Sequence, residues 1–267
     1  MTASHWERDR LAESILGALA AAGKNLDALT IDDLAVTDQF HGGGKPATVR
    51  LARLFGAAPG LRVLDVGGGL GGPARTLAVE FGCRVTVVDL TESFVRAARV
   101  LTARLGLEDR VSHHVGDALD LRFDSEAFDV VWTQNSGMNT ADKERLYEGF
   151  HRVLRRGGLL ALQEPLAGPV QPPIFPLMWA SDPAASFLRA PAEMRALIAR
   201  AGFTERTWED VTAETAAPAS AEAIPPHSAQ RLIMGDALDA ILRANHRNRA
   251  EGRMVSVQAV FERRPSS

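Results

Sequence analysis

The residues with the clearest capacity for chemistry are an acid-led run of glycines and a second acid downstream. Asp65 opens the run Asp65-Val66-Gly67-Gly68-Gly69-Leu70-Gly71-Gly72, and Asp89 lies 22 positions beyond Gly67. A glycine-rich turn from a strand into a helix lets backbone approach a ligand closely, and the helix N-terminus favours negative groups. Gly67, Gly69 and Gly72 satisfy the G-x-G-x-x-G spacing of a dinucleotide turn. An acid at the end of the next strand can take both ribose hydroxyl hydrogens as a charge-assisted pair. The spacing points to a nucleotide-bearing cofactor, with NAD as one candidate; a tight turn beside a solvated acid is the bland alternative.

Such a turn works only between a strand and a helix, and the surrounding pattern supplies both. Residues 62–66 are a short β-rich run, and 74–81 read as the helix after the glycines. Further strands are expected at 84–89, 110–115, 128–133, 158–164, 204–210 and 254–261, with helices at 93–105, 142–154 and 192–201. Strands alternating with helices imply a mostly parallel sheet. Upstream, Leu11, Ile15, Leu19 and Ala22 recur at helical spacing, so a helix is expected to end near Gly23. A loop with Gly42, Gly43 and Gly44 spans 39–46, and a helix covers 47–55. Residues 165–191 are proline-rich with aromatics between the prolines, 213–220 read as a loop, and one helix is expected over 228–248.

The glycines also read as D-x-G-x-G-x-G, with Asp65, Gly67, Gly69 and Gly71. That pattern resembles motif I of the class I S-adenosylmethionine-dependent methyltransferases. The resemblance continues through Val115-Gly116-Asp117-Ala118, Phe128-Asp129-Val130-Val131-Trp132, residues 154–160 and residues 254–264, none of which an NAD reading explains. Residues 38–48, 88–98, 132–147 and 179–188 are similar to the branch with sarcosine/dimethylglycine N-methyltransferase-like and tocopherol-methyltransferase-like enzymes.

What the resemblance implies is a Rossmann-like α/β fold, a doubly wound, mostly parallel seven-stranded sheet with an antiparallel last strand. Residues 1–267 would form one domain, with 1–58 as an N-terminal helical extension and 165–191 as a small cap inserted after the fifth strand. It implies S-adenosylmethionine as cofactor and methyl transfer to a small-molecule acceptor, an amine or a natural-product carbon or oxygen. The cofactor set is Asp65, Gly67, Gly69, Gly71, Asp89, Leu90, Asp117, Ala118 and Gln134. Within it Asp117 faces the adenine amino group, the Ala118 N–H faces the ring, and Asp65 and Gln134 serve the methionine end.

Asn135, Met138 and Asn139 follow the fourth strand, where ligands bind in sheets of this kind, and are candidates to face the acceptor; capping the next helix is the other reading. Trp179 and Phe187, with Phe175 and Met178, are candidates for a lid. His41 sits in the loop that in relatives folds over the cofactor and is the candidate base. Relatives often carry His after Trp-Thr-Gln, where this chain has Asn135. An amide does not titrate, so Asn135 reads as a positioning group. That departure keeps two rivals open: a methyltransferase fold recruited for a non-methyl reaction such as cyclisation, and a non-catalytic cofactor-binding protein.

Composition narrows the class. The 267 residues are 46% hydrophobic and 24% charged, with net charge −3, so a sizeable core is expected and no basic nucleic-acid footprint. Cys83 is the lone cysteine, which excludes an internal disulfide framework, and no metal-ligand spacing is present. Residues 1–10 are polar with both charge signs, unlike a signal peptide, and no membrane-length apolar run occurs. The expected setting is cytoplasmic, without membrane, nucleic-acid or metal partners.

Overall fold

The computed structural model describes residues 6–218 and 220–264. The expectations placed on residues 1–5, and on Ala219 in the 213–220 loop, lie outside the described residues. The parallel strands β1 (Arg62–Val66), β2 (Arg84–Asp89), β3 (Val111–Val115), β4 (Phe128–Gln134) and β5 (Leu154–Ala167) join β6 (Phe203–Asp210) and β7 (Met254–Arg263) in one sheet. Its order is β3-β2-β1-β4-β5-β7-β6, and β7 runs antiparallel to both its neighbours. The order reverses between β1 and β4, the topological switch point at which such sheets hold ligands.

Strands buried on both faces need apolar side chains pointing both ways. Val63, Val85, Val87, Val130 and Trp132 point to α3 (Gly44–Leu54) and α4 (Gly72–Phe81). Leu64, Val66, Val131 and Leu160 meet the opposite layer, α6 (Lys143–Val153) and α7 (Pro191–Arg200). A third core lies to one side of the strands' carboxyl ends. There α1 (Leu11–Ala21) and α2 (Ile31–Asp38) pack with α5 (Glu92–Arg104), α8 (Ala229–Met234) and α9 (Leu238–Ala250) through Ile15, Leu34, Leu101, Ile233 and Leu242. No helix among the described residues is long and apolar enough to cross a membrane.

Four expectations need correction. The helix expected at 47–55 starts at Gly44, because Pro46 falls in the first turn, whose N–H groups need no intrahelical partner. The single helix over 228–248 is two, α8 and α9, with a break at Gly235, whose φ of 52° an α-helix cannot accommodate. β5 extends past 158–164 at both ends and pairs with β7 from Leu159 to Ala167; Pro165 is tolerated because β4 has already ended at Gln134. Finally, α2 was not anticipated. Its signal was local: Thr30 and Asp33 form a capping box.

Candidate functional site

The glycine turn is built by close approach. The Gly67 N–H donates to the Val88 carbonyl (2.7 Å), tying the turn to β2. Gly67 has a φ of 74°, and a Cβ there would collide with the Ser136 side chain. A Cβ on Gly68 would lie 2.6 Å from Asp65 Oδ2. The Gly69 N–H donates to Asp89 Oδ2 (2.9 Å), and the Thr91 N–H donates to Asp89 Oδ1 (2.8 Å). Asp89 therefore links the first turn to the start of α5 before any ligand arrives. Burial raises its carboxyl above the usual range.

This turn forms one wall of a cavity of about 760 Å³. Asp65, Gly67, Gly69, Asp89 and Leu90 line it, joined by Asp117 and Ala118 after β3. Asp117 accepts from the Leu119 N–H (2.8 Å), which fixes its turn. Asp65 is buried and its Oδ2 has no partner. Burial, reinforced by the Asp89 charge, pushes the Asp65 carboxyl up to about 8. Gly71 is the exception in the cofactor set. It lies outside the wall and packs on His113, whose Cε1 would stand 2.6 Å from an added Cβ.

Beside the switch point three neighbouring strands bring glutamines into register: Gln134 of β4, Gln163 of β5 and Gln258 of β7. Gln134 and Gln258 both donate to Gln163 Oε1 (3.1 and 2.8 Å). Gln163 Nε2 donates to the Gly42 carbonyl (2.8 Å) and to Asn135 Oδ1 (3.2 Å), so this row holds the triple-glycine loop and Asn135 together. His41 joins the same network. Its Nε2 lies 2.9 Å from Gln39 Oε1 and 3.1 Å from the Thr48 hydroxyl, and its Nδ1 lies 3.2 Å from the Gly42 carbonyl. Burial pushes the imidazole down to about 4, so His41 is neutral at pH 7, with a single ring N–H for either the Gly42 carbonyl or Gln39 Oε1.

Asn135 lines the cavity with a φ of 55°, the left-handed region that asparagine tolerates better than other non-glycine residues. The variant pair Asn135→Gly and Asn135→Ala separates backbone from side chain. Both lose the Gln163 bond, but only alanine carries the left-handed penalty, so Asn135→Ala should be less stable than Asn135→Gly by about 1 kcal/mol. Urea denaturation measures the difference; indistinguishable midpoints would contradict it.

Met138, Asn139, Met178 and Trp179 also line the cavity, and Asn139 Oδ1 is buried without a partner. Phe187 and Phe175 do not line it. The Phe187 N–H donates to the Met138 carbonyl (3.0 Å), so Phe187 fastens the 165–191 segment to the loop after β4. Under that loop Glu164 accepts from the Gly137 N–H (2.8 Å), and Lys143 donates to the Gly137 carbonyl (2.7 Å). Sequence reasoning missed Asp38, Thr215, Ile224 and Arg249, which also line the cavity. They lie outside the strand–turn–helix units, where no short motif marks them.

An acid-led glycine turn at the switch point of a seven-stranded sheet, with one antiparallel strand second from the edge, defines the class I methyltransferase fold. Residues 63–158, from β1 into β5, match the methyltransferase-domain family. The glycine/sarcosine/dimethylglycine N-methyltransferase of Actinopolyspora halophila is 38% identical over 118 residues, 44% of this chain and 21% of that protein. The sarcosine/dimethylglycine N-methyltransferase of Halorhodospira halochloris is 34% identical over 170 residues, 61% of this chain and 57% of that protein. The chain thus spans less than two thirds of the length of either relative. The crystal structure of the [4+2]-cyclase SpnF matches in fold with a TM-score of 0.71 at 22% identity, over 96% of this chain and 93% of that one.

Proposed function

We propose that this chain, acting as a single domain, transfers a methyl group from S-adenosylmethionine to a small-molecule acceptor. The observation that carries the reading is the cavity wall formed by Asp65, the Gly67–Gly69 turn and Asp89 at the switch point. The residues present fit that cofactor. Asp65 Oδ2 is a buried acceptor lacking a partner, suited to the cationic methionine end, and Gly67 and Gly68 hold the turn so close to Ser136, Val87 and Asp65 that neither admits a Cβ. Asp89 would take the ribose hydroxyls, Asp117 the adenine amino group, and Gln134 the methionine end; all three line the cavity. When bound, the cofactor supplies an already activated sulfonium methyl group.

The chain's own work is then orientation and exclusion of water. Asn135 and Asn139 offer amides to the acceptor, and Met138, Met178 and Trp179 close an apolar wall over it. His41 holds the glycine loop through Gln39 and Thr48; service as a base would require it to leave both. An acceptor that is nucleophilic without prior proton loss suits this site best. Because His41 is so engaged, and because a cyclase shares the fold, a second reading keeps the cofactor but transfers no methyl. Formation of S-adenosylhomocysteine during turnover separates the two.

Asp89→Ala should weaken cofactor binding by about 1.5–3 kcal/mol, the range for hydrogen bonds to a charged group, and so more than tenfold. Calorimetry on a variant with parent-like circular dichroism checks this. Parent affinity in that variant would remove Asp89 from the ribose.

A further inference from the structure

On the cavity wall, one half-buried cation pairs with no anion. Arg249, near the C-terminus of α9, lines the cavity. Its Nη1 donates to the Thr212 carbonyl and to Thr215 Oγ1, and its Nη2 donates to Ser256 Oγ (3.2 Å). Its Nε is buried without a partner. The neighbouring arginines behave differently: Arg247 and Arg253 both pair with Glu251, at 2.9 and 2.6 Å. Asp210 acts on Arg249 from a distance, but one of its oxygens already accepts from the Thr212 N–H (2.8 Å). Among the described residues Arg249 makes hydrogen bonds only to neutral oxygens.

The acids of the proposed cofactor wall stand elsewhere. Asp65 and Asp89 are on β1 and β2, and Asp117 follows β3. Arg249 is bonded to Ser256 of β7, which is three strands from β1 in the sheet order, about 14 Å at the usual strand spacing. The cavity is therefore polarised, with carboxyl groups at the glycine turn and a guanidinium at the β7 end. The apolar side chains of Met138, Met178, Trp179 and Met254 line the same cavity. Asn245 lines the same wall one helical turn before Arg249, adding amide donors on that helix face. A partly desolvated guanidinium bonded only to neutral oxygens is matched by the planar or tetrahedral oxygens of an oxyanion.

We propose that the acceptor is a largely apolar molecule carrying an oxyanion group, a carboxylate or a phosphate, and that Arg249 receives this group at the β7 end of the cavity. This rests on the methyltransferase reading for the word acceptor, while the anion site rests on Arg249 itself. An acceptor anchored there would project its other end toward Asn139 and the glycine wall.

The test uses the full chain saturated with S-adenosylhomocysteine and four probes of one shape: 4-phenylbutanoate, 4-phenylbutyl phosphate, 4-phenylbutanamide and 4-phenylbutylamine. Both anions should bind about tenfold or more tighter than the amide and amine, as expected for charge-assisted bonds to a half-buried guanidinium. The carboxylate and phosphate arms tell which oxyanion the site prefers. Arg249→Met should erase the preference, and Arg249→Lys should keep part of it, so a loss through misfolding alone is recognised by comparing the two. Equal affinity for all four probes, binding of none, or a preference that survives Arg249→Met would overturn the inference. Separate titration of S-adenosylhomocysteine isolates the parent reading: cofactor binding without anion preference sinks only the Arg249 proposal. Anion preference without cofactor binding sinks only the methyltransferase reading.

Discussion

Arg75→Met should lower folding stability by about 3–5 kcal/mol, the cost of removing one partner from a buried ion pair. Arg75 is fully buried on α4. Its Nη2 donates to Asp38 Oδ2 (2.9 Å) and to the Leu70 carbonyl, and its Nη1 donates to Thr102 Oγ1 (3.0 Å) and the Ala98 carbonyl (3.3 Å). One guanidinium thus ties the end of α2, the glycine turn and α5 together around the cavity. Methionine fills much of the volume but leaves Asp38 buried without its cation. Asp38 is already pushed up to about 6 by burial, against the pull of Arg75. A carboxyl raised in the folded state favours folding less as pH rises through its folded value. Without Arg75 that value climbs further, so the variant's deficit should be larger at pH 8 than at pH 5. Urea denaturation at both values measures it. A deficit below 1 kcal/mol, or one independent of pH, would show that the pair does not hold these elements.

Gly67→Ala should lower folding stability by about 2 kcal/mol or more. Two terms combine. The left-handed conformation costs alanine about 1–2 kcal/mol, and the new methyl group must displace Ser136, with overpacking of this kind costing about 1–3 kcal/mol. Ser136 cannot yield freely, because its hydroxyl donates to the Val66 carbonyl (3.1 Å) and its N–H donates to Glu164 (3.3 Å). Adding Ser136→Gly should recover the steric part and leave the conformational part. Urea denaturation of the single and double variants reads both. A Gly67→Ala variant as stable as the parent would show that the turn does not need its close approach.

The sheet was legible because most of its strands are short β-rich runs set off by glycines or by helical spacing; all seven were placed, although β5 runs past its expected bounds at both ends. Asp65, Asp89 and Asp117 were legible for the same reason: position at the end of a strand carries their geometry. The residues that close the cavity from above were not. Asp38, Thr215 and Arg249 reach it only because α2 and α9 pack through Leu34 and Leu242 into a core formed by distant segments. Nothing in their local sequence encodes that meeting. Phe187 shows the converse failure. Its type and place suited a lid, but its backbone bond to Met138 leaves it outside the wall. His41 was marked by its loop, yet its neutrality follows from burial among Gln39 and Thr48, which periodicity does not express.

The most direct measurement is a calorimetric titration with S-adenosylmethionine, S-adenosylhomocysteine and NAD in two buffers of different ionisation enthalpy. Asp65, at about 8, is protonated in the free protein at pH 7. A cationic ligand beside it favours the carboxylate, so binding below pH 8 releases a proton, and affinity should rise with pH until about 8. The predicted result is saturable binding of both adenosyl ligands, proton release with S-adenosylmethionine, and no binding of NAD. Saturable NAD binding, with no response to either adenosyl ligand, would contradict the account.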